Sequence, residues 1–338
     1  MDMANVDLKR LFEEKIKGKA NVIGYSGTLK PRIRGGKIIE EELCLRVYVT
    51  RKVAISSLKA EDVIPREVGG IPVDVVEIGE ISALPKREIK KASLPPKVKK
   101  QRPLLAGVSI GHYKITAGTL GWYVESNGNV YMLSNNHVFA NENKANIGDP
   151  IVQQGMYDIH DKENWEQYIC GKLYNFIPIS FNEYSCPYRR TAINILRKLR
   201  IIGKAAPNRV DCAIAEITVP YELKFIDIDI PVQGVNYDLK LNDKVQKTGR
   251  TTCWTKDGVV VDLNWCGYVQ YSRGYAWFED QILIQREGFS DGGDSGSLIM
   301  DENYNAVGLL FAGSETHTVA NKIKVVEDLL QVKVVKGW

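Results

Sequence analysis

The sequence predicts a mainly β protein, with a β-rich body from about residue 103 to the end and a small α+β unit ahead of it. Three observations lead there. Short apolar runs bounded by turn residues recur throughout 103–338, the signature of an all-β barrel or sandwich. Residues 1–85 instead mix one helical pattern with several extended ones. Between the two lies 86–102, which carries prolines and many lysines without apolar periodicity and reads as a solvated linker.

The elements follow in order. Leu8, Leu11, Phe12 and Ile16 keep helical spacing. Asn21 to Leu29 is extended, Lys30 to Lys37 reads as a basic, Gly-containing turn, and Leu43 to Thr50 is a strand. Leu58 to Val63 suggests a short helix and Val73 to Ile78 another strand. In the β-rich body the strand patterns are Gly118 to Val124, Val130 to Ser134, Asp211 to Val219, Lys244 to Thr248, Gly258 to Val261, Gly267 to Tyr271, Gln281 to Gln285, Ser297 to Met300 and Ala306 to Ala312. An insertion at about 170–208 holds a helical, basic stretch, Ala192 to Ile202, and Lys324 to Leu330 reads as a closing helix.

Composition narrows the function classes. The 338 residues are 44% apolar and 25% charged, so a packed core is expected. A net charge of +4 is too weak to argue for nucleic acid. No apolar run is long enough for a transmembrane helix, and Met1 to Lys19 mixes acids and bases unlike a secretory signal. The expectation is a cytoplasmic protein with no membrane or nucleic-acid partner. The six cysteines include no C-x-x-C pair, which argues against zinc. Cys44 and Cys212 sit in strand patterns as buried thiols. A Cys170–Cys186 or Cys253–Cys266 bridge requires suitable Cα separation and an oxidising compartment.

The chemistry concentrates in three places. Gly293-Asp294-Ser295-Gly296-Ser297 puts glycines on both sides of a serine. Such a turn can aim the amides of Gly293 and Ser295 at one oxyanion, although the same residues also make plain turns. A serine hydroxyl needs a base. Of the four histidines, His112, His137, His160 and His317, His137 stands at a strand end, though a satisfied core histidine fits it too. The base needs an anion to fix its tautomer. Asp211 opens an apolar strand, where a buried carboxylate must find a partner, and that partner could equally be a turn or an arginine. Asp149 and Asp158 are rival acids in polar, turn-like surroundings.

Taken together, His137, Asp211 and Ser295 follow the chain order of chymotrypsin-type enzymes, each at a strand edge. Residues 103–338 resemble the trypsin-like (chymotrypsin-fold) serine peptidases on these motifs. Val307 to Gly313 is similar to the strand that holds substrate backbone in that fold. Gly107 to Ile110, Ala117 to Gly121 and Lys247 to Thr252 further resemble a bacterial, archaeal and plant group that includes the NARROW LEAF 1-like proteins. The resemblance implies a chymotrypsin-like double β-barrel preceded by a small α+β N-terminal domain. It also implies a serine endopeptidase working through an acyl-enzyme with no cofactor or metal.

The chain departs from the secreted digestive enzymes. Val138 replaces the cysteine that follows their histidine, and no Ile-Val-Gly-Gly-type N-terminus precedes the barrel. Asp294 is therefore expected not to depend on a cleaved amine. For specificity, Phe289 would floor the first pocket as an aromatic surface that disfavours Lys or Arg, although Asp291 lies close in sequence. Phe311, Gly313 and His317 would line the substrate cleft, where some members of the family use a histidine to accept an acidic side chain; an exposed loop position for His317 is the plainer alternative. The partners expected are a protein or peptide substrate and an intramolecular contact of the leader with the protease domain. The alternative is a non-catalytic or self-processing peptide-binding module, any self-cleavage falling in Lys86 to Arg102.

Overall fold

A computed structural model of the chain describes residues 7–34, 37–83, 96–181, 183–184 and 206–337. The N-terminal unit comprises α1 (Leu8–Lys15), β1 (Val22–Ser26), β2 (Lys30–Arg34), β3 (Lys37–Val49), β4 (Glu67–Val68) and β5 (Ile71–Glu77). The basic turn expected at Lys30 to Lys37 is narrower than its composition suggests, because Lys30–Arg34 is a strand pairing antiparallel with β3. The short helix expected near Leu58 is two 3₁₀ turns, Ile55–Ser57 and Ala60–Asp62.

The first half of the β-rich body contains β6 (Leu104–Ala106), β7 (Ser109–His112), β8 (Gly118–Thr119), β9 (Trp122–Ser126), β10 (Asn129–Ser134), α2 (Asn136–Phe139), β11 (Pro150–Val152), β12 (Ile169–Phe176), β13 (Glu183–Tyr184), β14 (Ala213–Ile217) and β15 (Tyr221–Phe225). Its sheet runs β9-β10-β14-β12-β11-β7-β8. Gly121 donates to Leu133 O while Leu120 donates to Val108 O, so the chain through β8 and β9 joins both edges and closes a barrel. Trp122, Leu133, Phe139 and Ile151 fill its interior.

The second half contains β16 (Gly234–Val235), β17 (Lys244–Gly249), β18 (Cys253–Tyr271), β19 (Gly274–Gln285), β20 (Leu298–Asp301), β21 (Asn305–Gly313), β22 (His317–Lys322), α3 (Ile323–Leu330) and β23 (Lys333–Val334). The strands β17-β18-β19-β22-β21-β20 form a ring, because β20 pairs back onto β17. This is the second barrel of a chymotrypsin-like double β-barrel. The two patterns at Gly258 and Gly267 lie in one continuous strand, β18. Ile323, Val326 and Leu330 bury one face of α3, and β23 then pairs with β9 of the first barrel.

The N-terminal unit is joined to the second barrel edge to edge. β1 pairs with β18, Gly24 opposite Gly267. A side chain at Gly24 would place its Cβ 2.2 Å from Cys266 O, so glycine is what lets the strands meet. Phe12 of α1 stacks on Tyr25 and Trp277, at 4.4 and 6.0 Å between ring centroids. Lys30 and Tyr48 reach across to the buried Asp262 carboxylate, at 2.9 and 2.6 Å.

Of the 86–102 segment, 96–102 is described and docked. Lys97 and Val98 are buried, and the Lys97 ammonium meets Asp227, Thr248 and the Gly249 carbonyl. That part is not a solvated connector: a buried lysine is retained by an anion and two acceptors. The helical stretch expected at Ala192 to Ile202 lies outside the described residues. Cys44, Cys170, Cys212, Cys253 and Cys266 are free thiols, all but Cys253 buried. The Cys253–Cys266 bridge is thus absent, and Cys186 lies outside the described residues. None of the described helices is long and apolar enough to cross a membrane.

Candidate active site

Strand pairing brings the histidine and the aspartate together. β10 and β14 are antiparallel neighbours, with Ser134 opposite Ala213. The chain leaving β10 turns into α2, which carries His137, while Asp211 stands just ahead of β14. The His137 backbone N–H donates to Asp211 Oδ1 at 3.2 Å, and its ring Nδ1–H donates to Oδ2 at 2.6 Å. A carboxylate can only accept, so the bond fixes the proton on Nδ1 and leaves the Nε2 lone pair free. Nε2 is buried without a hydrogen-bond partner among the described residues, so it is not bonded to Ser295.

Asp211 is itself held from several sides. Its backbone N–H donates to Asn321 Oδ1 at 3.0 Å, and its carbonyl accepts from Asn135 Nδ2 at 2.7 Å. Tyr271, fully buried, donates its hydroxyl to Oδ2 at 2.8 Å, and burial pushes that phenol well above its ordinary range, with the Asp211 charge adding to it. Tyr271 gave no sequence signal: it ends β18, far from Asp211 in the chain. After His137, the loop is pinned to the second barrel, since Glu142 accepts from Ser272 N and Oγ at 3.0 and 2.6 Å.

Ser295 sits in the loop before β20. Glycines let this loop press against the first barrel. A Cβ on Gly296, which has φ of 95°, would lie 2.1 Å from Ser134 Oγ, and one on Gly121 would lie 2.2 Å from Gly296 O. The backbone N–H groups of Gly293 and Ser295 find no hydrogen-bond acceptor among the described residues.

The aspartate beside the serine is locked by an internal lysine. Asp294 and Lys247 are fully buried, with Nζ 3.2 Å from Oδ2. Asp294 also accepts from Thr252 Oγ1 at 2.6 Å and from the amides of Thr251 and Asp291, at 2.7 and 3.0 Å. Burial alone would raise the Asp294 carboxyl, but the Lys247 charge and these hydrogen bonds hold it below its ordinary value. Gly249 makes room, since a Cβ there would lie 2.4 Å from Asp294 Oδ1. Behind the loop, Arg250 pairs with Asp158, its Nε 2.7 Å away. Thr119 ties the arrangement together, accepting from Arg250 N and donating to Gly293 O, each at 2.9 Å.

The rival acids are thus occupied. Asp158 lies in a turn, as expected, but is buried against Arg250, and Asp149 Oδ2 lies 3.1 Å from His112 Nε2. His160 is exposed.

A cavity of about 210 Å³ opens beside Ser295, lined among others by Ser290, Gly292, Leu310, Gly313 and three acids, Glu287, Asp291 and Glu315. Of the four specificity residues read from the sequence, Gly313 lines it. Phe289 packs instead into the second-barrel core, with Val260 and Ile284, and Phe311 packs with Tyr271 and Phe278. Both are wholly buried, because the apolar barrel interior competes for an aromatic ring more strongly than an open cleft. His317 also lies outside the lining and is buried, not an exposed loop residue, with Nδ1 2.8 Å from Thr316 Oγ1.

Burial depresses His317 to about 4. Unfolding frees it to titrate near 6.5, so the unfolded state binds more protons between those values. Its contribution is complete above pH 6.5 and lost as pH falls through 4. Denaturant melts are expected to show His317→Gln losing about 2 kcal/mol less stability than wild type between pH 7 and pH 5. Equal losses would count against a neutral buried His317.

No known protein-family profile matches the sequence, and no curated protein matches it. Solved structures are similar in chain path. Cellulomonas bogoriensis chymotrypsin is 14% identical with a TM-score of 0.44, over 68% of this chain and 97% of that one. Thermobifida fusca protease A is 15% identical with a TM-score of 0.44, over 69% and 99%. Nocardiopsis protease is 13% identical with a TM-score of 0.43, over 68% and 97%. The chain has the fold of the trypsin-type serine proteases, and that assignment stands on the two closed strand rings.

Proposed function

We propose that this protein is a serine endopeptidase in which Ser295 is the nucleophile, His137 its base and Asp211 the group that orients the base. The observation that carries this reading is the 2.6 Å bond from His137 Nδ1 to a buried carboxylate, which leaves Nε2 free to accept a proton. His137 takes the Ser295 proton as Oγ attacks the peptide carbonyl. The amides of Gly293 and Ser295 receive the oxyanion. His137 then returns the proton to the leaving amine, and water releases the acyl group by the same route. Lys247 supplies from within the chain the positive charge that orders Asp294, so no cleavage is needed to create it.

The acids around the cavity give the substrate class. Glu287, Asp291 and Glu315 favour a cationic side chain N-terminal to the cut over an anionic one. Mass-spectrometric profiling of a peptide library is expected to show Lys or Arg ahead of Asp or Glu there, and no cleavage by Ser295→Ala. Equal cleavage by Ser295→Ala would sink the proposal.

The unbonded Nε2 favours a second reading, a peptide-binding module without turnover. Folded wild-type protein that binds peptides and leaves them intact would establish it. For self-processing, the described end of the linker is an unsuitable cut site, since Lys97 and Val98 are buried.

A further inference from the structure

The geometry points to the chain's own segment Ile81 to Ala83 as a built-in occupant of the β21 edge at Gly313, the edge along which the proposed peptidase would lay its substrate. Ser82 N–H donates to Gly313 O and Gly313 N–H donates to Ser82 O, both at 3.0 Å. This reciprocal antiparallel pair is the contact by which a sheet edge captures a foreign strand. Ala83 N–H donates to Gln270 O, and Gln270 N–H to Ile81 O, each at 3.0 Å. The segment is thus laid between β18 and β21, with Ile81 buried in the cluster that holds Tyr271 and Phe311.

Its position sets its consequence. Leu310 is bonded through its N–H to Ser297 O and through its carbonyl to Gly296 N, at 3.0 and 2.9 Å. The Leu310 end of β21 therefore lies against the serine loop, and Gly313 lies farther along. Because the pairing is antiparallel, the step from Ser82 to Ala83 runs toward the Ser295 end. Ser82, Ala83 and Ser295 line the same cavity. A peptide approaching Ser295 along β21 meets an edge already taken.

The N-terminal unit is consequently a built-in competitor. A tethered occupant acts at an effective concentration far above that of a free peptide. Free peptide affinity is reduced by the fraction of molecules whose edge is open. The inference rests on the proposed peptidase reading only for the nature of the incoming ligand, so its test uses protein that cannot turn over.

The test compares full-length Ser295→Ala with Ser295→Ala/Ser82→Pro. Proline removes the Ser82 N–H and sets its ring against Gly313 O. The probe is fluorescein-labelled Ile-Gly-Glu-Ile-Ser-Ala, the sequence of residues 78–83, followed by fluorescence polarisation. The double variant is expected to bind about tenfold more tightly, from one lost backbone bond and an unsatisfied acceptor. Should that variant not fold, hydrogen exchange on Ser295→Ala decides. Unlabelled hexapeptide at saturation would speed exchange at the Ser82 amide while Gly313 stays protected. Equal affinity in the two proteins, or a Ser82 amide indifferent to peptide, overturns the inference. Failure of wild-type protein to hydrolyse peptides would bear on the peptidase reading alone.

Discussion

Asp211→Asn is expected to slow acylation of Ser295 by about 10⁴-fold while leaving the protein folded. Oδ2 now accepts from His137 Nδ1 and Tyr271 Oη, at 2.6 and 2.8 Å, and Oδ1 from the His137 amide at 3.2 Å. An asparagine carries one acceptor and one donor in their place. Its amide must turn the donor toward either the histidine amide or the ring, and the ring can yield by moving its proton to Nε2. That tautomer cannot take a proton from Ser295. Tyr271→Phe provides the contrast. It removes one donor to the carboxylate but keeps the His137 tautomer, so a loss of only about tenfold is expected. Rates of active-site labelling on the two variants check both figures. Similar losses in the two would mean that Asp211 acts through packing and not through the ring proton.

The second large effect is expected at Lys247. Replacing it by methionine strands the Asp294 carboxylate, which is fully buried, with neutral donors alone. Removing one member of a buried pair costs about 3–5 kcal/mol, and here the cost falls on the loop that carries Gly293 and Ser295. Lys247→Met should melt at markedly lower denaturant and lose active-site labelling. Lys247→Met/Asp294→Asn removes the stranded charge and should recover most of the stability. A single variant as stable as wild type would show that Thr251 and Thr252 order Asp294 unaided.

The sequence carried the architecture further than the site. Barrel strands announce themselves by alternation, and the glycines at 121 and 296 mark where two barrels press together. The bounds at Gly258 and Gly267 split one strand, β18, because Asp262 and Asn264 interrupt the apolar pattern, although Asp262 is buried against Lys30 and Tyr48. The pairing of His137 with Asp211 was legible since each stands beside an apolar run, whereas no hydrogen bond among the described residues joins Ser295 to His137. The supporting residues were not. Tyr271 and Ser82 act through contacts between segments far apart in the chain, which leave no local pattern. Lys247 and Arg250 lay in a motif visible only by resemblance, and their burial contradicts what a charged residue ordinarily implies. Phe289 and Phe311 lie in the cores: spacing from Ser295 suggested the cleft for the first and resemblance of its strand for the second, and neither registers the core's demand for a ring.

The central claim is that Ser295 is an activated nucleophile. Intact-protein mass spectrometry after treatment with a small fluorophosphonate tests it most directly, because that probe does not require the β21 edge. The account predicts one adduct on wild-type protein and none on Ser295→Ala or His137→Ala. No adduct on a folded wild-type protein, or an adduct that survives in Ser295→Ala, would contradict it.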